Sequence, residues 1–319
     1  MTKRTRVLLW TDTPAPYLDA ISAAGLAERV TVDTLPRNET PSAQRHAGTE
    51  VLVAWRSPPG ILAELAGLRW VQAMTAGVDS WLRLPDLRPG VTLTCARGTH
   101  RESMPENILG ALFHLTKPFA AIVEDQKTRT WTSRIAESLN GRTLGILGLG
   151  AIGQDLARLA AMLGMRVIGT KRVPADLPGV AEVYPPERTD AVLADSDFVL
   201  LLLPATPATE NFIDAGRLAL MKPTAWLLNF GRGHLVVDDD LIAAVEGRRI
   251  AGAMLDVFRQ EPLPREHPFW GTPGIIVLPH VGGMHPERDR TVARLFVDNL
   301  RRFLDGEPLT EIVDRAVGY

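Results

Sequence analysis

The sequence predicts an α/β protein with two Rossmann-like or flavodoxin-like domains, each built on a parallel sheet. Three observations carry this. Short apolar runs alternate with helical patterns in both halves of the chain, the signature of βαβ units. The alternation breaks at a polar stretch, residues 124–142, and then restarts. At 319 residues the chain exceeds what one small core usually supports.

In the first half, residues 7–10 read as a strand and 17–26 as the following helix. Residues 51–55 are a strand, 61–65 a helix, 70–74 a strand and 91–95 the last strand of the set. Residues 106–115 are apolar at helical spacing, and Pro105 suits a first helical turn. In the second half, 143–147 is a strand that opens into a glycine-rich turn, with a helix over 154–163 and a strand over 166–170. The unbroken apolar run 198–203 predicts a strand buried on both faces. Strands over 225–229, 250–255 and 275–278 complete the second set. The amphipathic segment 288–304 is expected to return to the first domain. That makes residues 1–105 plus 286–319 a discontinuous substrate domain, into which a dinucleotide-binding domain of residues 106–285 is inserted.

Composition narrows the function. A formal net charge of -2 gives no general attraction to nucleic acid or anionic lipid. The single cysteine, Cys95, forbids an internal disulfide and suits a reducing compartment. Lys3, Arg4 and Arg6 resemble the start of a secretory signal, but the apolar run 7–10 is too short to serve as its core. No segment is long and apolar enough for a membrane span. A cytoplasmic protein is therefore expected. The histidines form no ligand-like cluster with acids or with Cys95, so no metal site is expected.

Gly148, Gly150 and Gly153 form G-x-G-x-x-G between a strand and a helix, the context in which that spacing has meaning. The first glycine permits a tight turn, the second lets backbone approach a pyrophosphate, and the third lets helix and strand pack closely. The helix N-terminus then offers N–H groups to phosphate. At the end of the next strand, NAD sites usually carry an acid for the ribose hydroxyls. This chain has Lys171 and Arg172 there, groups suited to a 2′-phosphate. The expected cofactor is NADP(H) rather than NAD(H).

Three polar groups follow apolar runs in the second half: Arg232, Glu261 and His280. Parallel strands would bring all three to one end of the sheet, where open α/β sheets bind ligands. Reducing a 2-oxo acid needs a cation for its carboxylate and carbonyl, and the arginine fork suits that. The forming alkoxide needs a proton, which a histidine can give and take near neutral pH. A carboxylate beside the histidine orients its ring and favours its charged form. A surface arginine, a loop glutamate or a capping histidine would each be unremarked alone; their joint placement is what points to catalysis.

Further segments complete a family pattern: Thr75-Ala76-Gly77-Val78-Asp79, Asn229 to Gly233, Leu255-Asp256-Val257-Phe258, Glu261-Pro262-Leu263-Pro264 and Pro279-His280-Val281-Gly282-Gly283. With the glycine loop, they resemble the D-isomer-specific 2-hydroxyacid dehydrogenases, most closely the glyoxylate/hydroxypyruvate reductase-like members. The resemblance covers nearly the whole chain. It implies that Arg232 binds substrate, that His280 is the acid/base paired with Glu261, and that Asp256 holds the nicotinamide carboxamide. It implies backbone N–H contacts from Ala151 and Ile152 to the pyrophosphate. Leu203, Pro204, Phe230, Gly231 and Gly282 would line the dinucleotide site, and Ala76 and Gly77 would meet the substrate carboxylate. A homodimer joined through the cofactor domains is also implied. Lys171 departs from the NAD-preferring pattern, and Pro105-Glu106 replaces the usual Ala-Glu.

Trp55 and Arg56 follow a first-domain strand and are expected to set substrate size and charge. His100 and Arg101 read as solvated loop. The competing function is a dinucleotide-binding regulator of the corepressor type, which would keep the same residues without significant turnover.

Overall fold

The computed structural model describes residues 4–316 and 318; Lys3 and the terminal Tyr319 lie outside them. The chain divides into two compact units, residues 1–99 with 285–319, and residues 100–284.

The first unit holds one sheet of strands β1 (Thr5–Trp10), β2 (Val30–Leu35), β3 (Val51–Ala54), β4 (Trp70–Ala73) and β5 (Thr92–Thr94). Their spatial order is β2-β1-β3-β4-β5, with every pairing parallel. This is the flavodoxin-like order. β1 ends in four buried residues and β3 and β4 are buried throughout, as expected of strands covered on both faces. On one face the helices Ala15–Ala23 and Arg288–Asp305 pack together through Tyr17, Ile21, Val292 and Phe296. Trp70 stacks on Phe296 with 5.5 Å between ring centroids, and its indole N–H donates to Thr94 Oγ1 at 2.8 Å. The apolar body of the tryptophan is thus buried without orphaning its polar edge. The C-terminal helix belongs to this unit and not to the one that precedes it in sequence.

One expectation needs correction here, and one strand goes beyond the expected set. Residues 61–65 form only a 3₁₀ turn at Leu62–Glu64, too short to bury a helical face. Strand β2 is not foreseen: its burial is interrupted by exposed and half-buried polar residues, because it lies at the sheet's edge.

The second unit begins with helix Ser103–Thr116 and contains a further helix, Phe119–Lys127, that runs into the expected polar stretch and buries none of its residues. Its sheet has strands β6 (Thr143–Leu147), β7 (Arg166–Thr170), β8 (Glu182–Tyr184), β9 (Phe198–Leu201), β10 (Trp226–Asn229), β11 (Gly252–Leu255) and β12 (Ile275–Val277). The order is β12-β11-β10-β9-β6-β7-β8, again parallel throughout. The chain winds outward from β6 in both directions, so the switch point lies between β6 and β9, the place where such sheets hold dinucleotides. Among the described residues no helix is long and apolar enough to cross a membrane.

Candidate active site

β6 ends at Leu147, and Gly148 turns the chain at φ +109°, a conformation that side-chain-bearing residues avoid. A β-carbon there would also lie 3.0 Å from the Leu202 carbonyl. Gly150 begins the helix Ala151–Met162 with no capping side chain, and a β-carbon on it would meet no atom within 4 Å. The first helical amide bond is Gln154 N to Gly150 O, at 3.0 Å. The amides of Ala151, Ile152 and Gly153 therefore stand outside the helical ladder, at the positive end of the helix dipole. Gly153 seats the helix on the turn: its β-carbon would lie 2.7 Å from Gly148 O. This cradle fits a dinucleotide pyrophosphate. Arg101, expected as solvated loop, forms a two-pronged ion pair with Asp155 of the same helix at 2.6 and 3.0 Å.

Lys171 directly follows β7, its backbone N–H donating to Tyr184 O at 2.9 Å. Its side chain is half-buried and that of Arg172 exposed. Leu203 and Pro204 follow β9, and Phe230 and Gly231 follow β10, all at the carboxyl edge of the sheet.

The three candidate catalytic residues leave the same edge in adjacent strands. After β10, Asn229 braces its own loop: Nδ2 donates to Arg232 O at 2.8 Å and Oδ1 accepts from Gly231 N at 3.1 Å. Arg232 Nη1 donates to Gly231 O at 2.7 Å. After β11, buried Asp256 reaches toward β12. Its two oxygens accept from Val281 N at 2.7 Å and Gly282 N at 2.9 Å. These bonds hold the loop in which His280 adopts a left-handed backbone, φ +54°. Burial raises the Asp256 carboxyl above the usual carboxylate value, against those two amides. In the sequence Asp256 stands out only as a cofactor ligand; its hold on the His280 loop is new.

Glu261 Oε1 accepts from Phe258 N at 3.0 Å, and Oε2 lies 2.6 Å from His280 Nδ1. The hydrogen bond to Glu261 raises the His280 imidazole above its ordinary value, with burial opposing. Burial pushes the Glu261 carboxyl up, but His280 and the Phe258 amide outweigh it and hold it below the usual range. The His280 side chain remains 54% exposed, so the ring can be reached. With Nδ1 taken by Glu261, Nε2 is the atom left to exchange a proton with a ligand.

The first unit presents its own candidates at strand ends. Trp55 follows β3, with the Arg288 guanidinium 4.1 Å and that of Arg37 5.8 Å from its ring centroid. Arg56 is exposed beside it. Ala76 and Gly77 follow β4 in a turn closed by Thr75 Oγ1 donating to Gly77 O at 2.7 Å. The sequence reading missed Arg288. It is buried and bonded to Met74 O and Asp289, and nothing in its amphipathic helix marks it as inward-facing.

Comparison with known proteins identifies the family. The description of the D-isomer specific 2-hydroxyacid dehydrogenase NAD-binding domain matches residues 109–282. Glyoxylate/hydroxypyruvate reductase A of Serratia proteamaculans is 30% identical over 306 residues, 93% of this chain and 95% of that protein. The (S)-sulfolactate dehydrogenase of Chromohalobacter salexigens is 33% identical over 247 residues, 76% of this chain and 80% of that one. The crystal structure of the NADPH-dependent glyoxylate/hydroxypyruvate reductase of Sinorhizobium meliloti, in complex with NADP and sulfate, matches with a TM-score of 0.85 and 30% identity. That match covers 99% of this chain and 100% of the other.

The chain belongs to the D-isomer specific 2-hydroxyacid dehydrogenase family. Within it, the chain is an NAD(P)-dependent D-2-hydroxyacid dehydrogenase.

Proposed function

We propose that the enzyme reduces a small 2-oxo acid, glyoxylate or hydroxypyruvate foremost, to the D-2-hydroxy acid, with NADPH favoured over NADH. The observation that carries this reading is the 2.6 Å Glu261–His280 pair, beside an arginine loop from the next strand. Arg232 would grip the substrate carboxylate and polarise its carbonyl. When bound, the reduced dinucleotide supplies the hydride that goes to the carbonyl carbon. His280 Nε2 would give its proton to the carbonyl oxygen and regain it in the reverse direction, with Glu261 steadying the imidazolium. Ala151 and Ile152 would hold the pyrophosphate through their amides, with Gly148, Gly150 and Gly153 shaping the cradle. Lys171 and Arg172 would take the 2′-phosphate. Leu203, Pro204, Phe230, Gly231, Asp256 and Gly282 complete the proposed dinucleotide set.

The unit of residues 100–284 is assigned to the dinucleotide, in keeping with the family match to residues 109–282. The other unit is assigned to substrate, through Trp55, Arg56, Ala76 and Gly77. We place the enzyme in the cytoplasm as a homodimer. Trp131 and Ile135, four residues apart in the chain, are 98% and 95% exposed, and such bare apolar side chains support a partner surface.

A second substrate class has specific support: the sulfolactate dehydrogenase relative, together with the exposed Arg56, fits a substrate with a further anionic group. Steady-state oxidation of NADPH and NADH with glyoxylate, hydroxypyruvate, pyruvate and phenylpyruvate, and the reverse reaction with (S)-sulfolactate, tests both readings. No turnover with any of them would overturn the substrate assignment.

A further inference from the structure

The segment that carries Glu261 is fastened at both ends to a single side chain. Asp238 opens the helix Asp238–Glu246. Its Oδ1 lies 3.5 Å from Arg259 Nε and its Oδ2 lies 3.5 Å from His267 Nε2. Residues 259 and 267 bracket Glu261. Arg259 adds a bond from Nε to Val236 O at 3.0 Å and contacts to Glu210 at 3.3 Å and to the Asn211 side chain. His267 Nδ1 accepts from Phe269 N at 3.3 Å, which leaves its Nε2–H for Asp238. The buried Phe269 ring packs 6.3 Å from that of Phe258.

The same clasp joins the Arg232 loop. Gly233 lies flat on the Phe258–Arg259 peptide, so close that a β-carbon on it would come within 1.9 Å of Phe258 C. Phe258 N in turn holds Glu261 Oε1. A displacement at Arg259 therefore passes through one peptide to both Glu261 and the Arg232 loop.

We propose that Asp238 and Arg259 are positioning residues that set Glu261 on His280 by clasping the 259–267 segment. Neither side chain is placed to touch a reacting atom. They act through Glu261, so the inference rests on the catalytic reading given above. Arg259 is half-buried, and a multiply bonded arginine is a rigid strut because its planar fork loses little further freedom on binding. Asp238 is itself half-buried, so losing one partner leaves it poorly compensated.

The test is titration of the His280 ring by NMR in histidine-labelled protein, the signal assigned by its loss in His280→Gln. The charged groups acting on that ring are Glu261, Asp256 and Arg232. Direct electrostatics and the clasp predict opposite signs for Arg259→Ala. Removing a cation at a distance raises the His280 midpoint. Loosening Glu261 lowers it, by about half a pH unit or more. We expect the fall, its near-complete reversal in Arg259→Lys, and no further fall when Arg259→Ala is added to Glu261→Gln. A rise or no change in Arg259→Ala overturns the proposal, as does an additive effect in the Glu261→Gln background. Should Arg259→Ala fail to fold, His267→Gln reads the other end of the clasp in the same way, a lowered midpoint supporting the proposal and an unchanged one overturning it. The titration needs neither substrate nor dinucleotide. An unshifted midpoint alongside activity lost in His280→Gln refutes the clasp alone, whereas full turnover in His280→Gln refutes the catalytic reading on which it rests.

Discussion

Glu261 spends one carboxylate oxygen on the Phe258 amide and the other on His280 Nδ1, so the imidazole is oriented by a group that is itself anchored to the backbone. The pair implies a pH signature. With His280 raised above its ordinary value, kcat/KM for 2-oxo acid reduction should stay level through neutrality and fall as pH climbs past that raised value. Oxidation of the 2-hydroxy acid should show the mirror limb. In Glu261→Gln both limbs should move down toward pH 6.5, the ordinary histidine value. Limbs that stay in place would separate Glu261 from the proton transfer.

The same pair contributes to stability in a defined window. His280 is raised, so its contribution is complete below pH 6.5 and is lost as pH rises through the folded-state value. Glu261 is lowered, so its contribution is complete above pH 4.5 and is lost as pH falls through its folded-state value. The gap in Tm between the wild type and His280→Gln should be widest between those two pH values and narrow at pH 9. A gap independent of pH would mean that packing, and not the ion pair, is what the substitution removes.

Arg232→Ala should lower kcat/KM for glyoxylate by about 100-fold or more, the usual scale for removing a group that stabilises developing oxyanion charge. Dinucleotide binding, followed by fluorescence, should change little. Equal losses in both would place Arg232 in the architecture of the loop and not in contact with substrate.

Lys171→Asp should weaken NADPH far more than NADH. One charge-assisted contact is worth about 1.5–3 kcal/mol, so the ratio of the two KM values should move by roughly tenfold or more. An unaltered ratio would remove Lys171 from phosphate recognition.

Gly233→Ala should cost stability even though alanine favours helix, because the added methyl enters the Phe258–Arg259 peptide. Overpacking of that kind costs about 1–3 kcal/mol, visible as a lowered midpoint in urea. A neutral substitution would show that the two loops part easily.

If Trp131 and Ile135 meet a second copy, Trp131→Glu should shift the protein to monomer in sedimentation. A wild type that sediments as a monomer would refute the dimer directly.

Much of this was legible in the sequence, for identifiable reasons. β6, β7 and β9–β11 lie inside the sheet, the edge strand β12 is apolar throughout, and the glycine loop sits where strand gives way to helix, so local pattern and tertiary role agree. β2 and β8 escape notice because an edge strand needs few apolar residues. β8 is only three residues long, Glu182–Tyr184, recognisable through pairing with Ile168–Thr170. The helix after β6 starts at Ala151, earlier than its apolar periodicity suggests, because its first turn is shaped for phosphate and not for packing. Arg232, Glu261 and His280 announce themselves through residue type and position. Asp238, Arg259 and His267 do not: each is an ordinary surface residue until folding brings them together. The run Asp238-Asp239-Asp240 was a usable hint of a helix start, but only the structure separates the acid that clasps a loop from its two neighbours.

Asn229, Arg232, Asp256, Glu261, His280 and Gly282 all fall within one uninterrupted stretch of chain, and β10, β11 and β12 lie side by side in the sheet. For inheritance this has a simple effect. A genetic exchange with breakpoints outside residues 229–282 carries the proposed reaction apparatus as one block or leaves it untouched. The loops after β3 and β4, encoded far upstream, can be reshuffled or mutated without passing through it. If those loops read the substrate as proposed, lineages built on this plan can change what they act upon while conserving how they act.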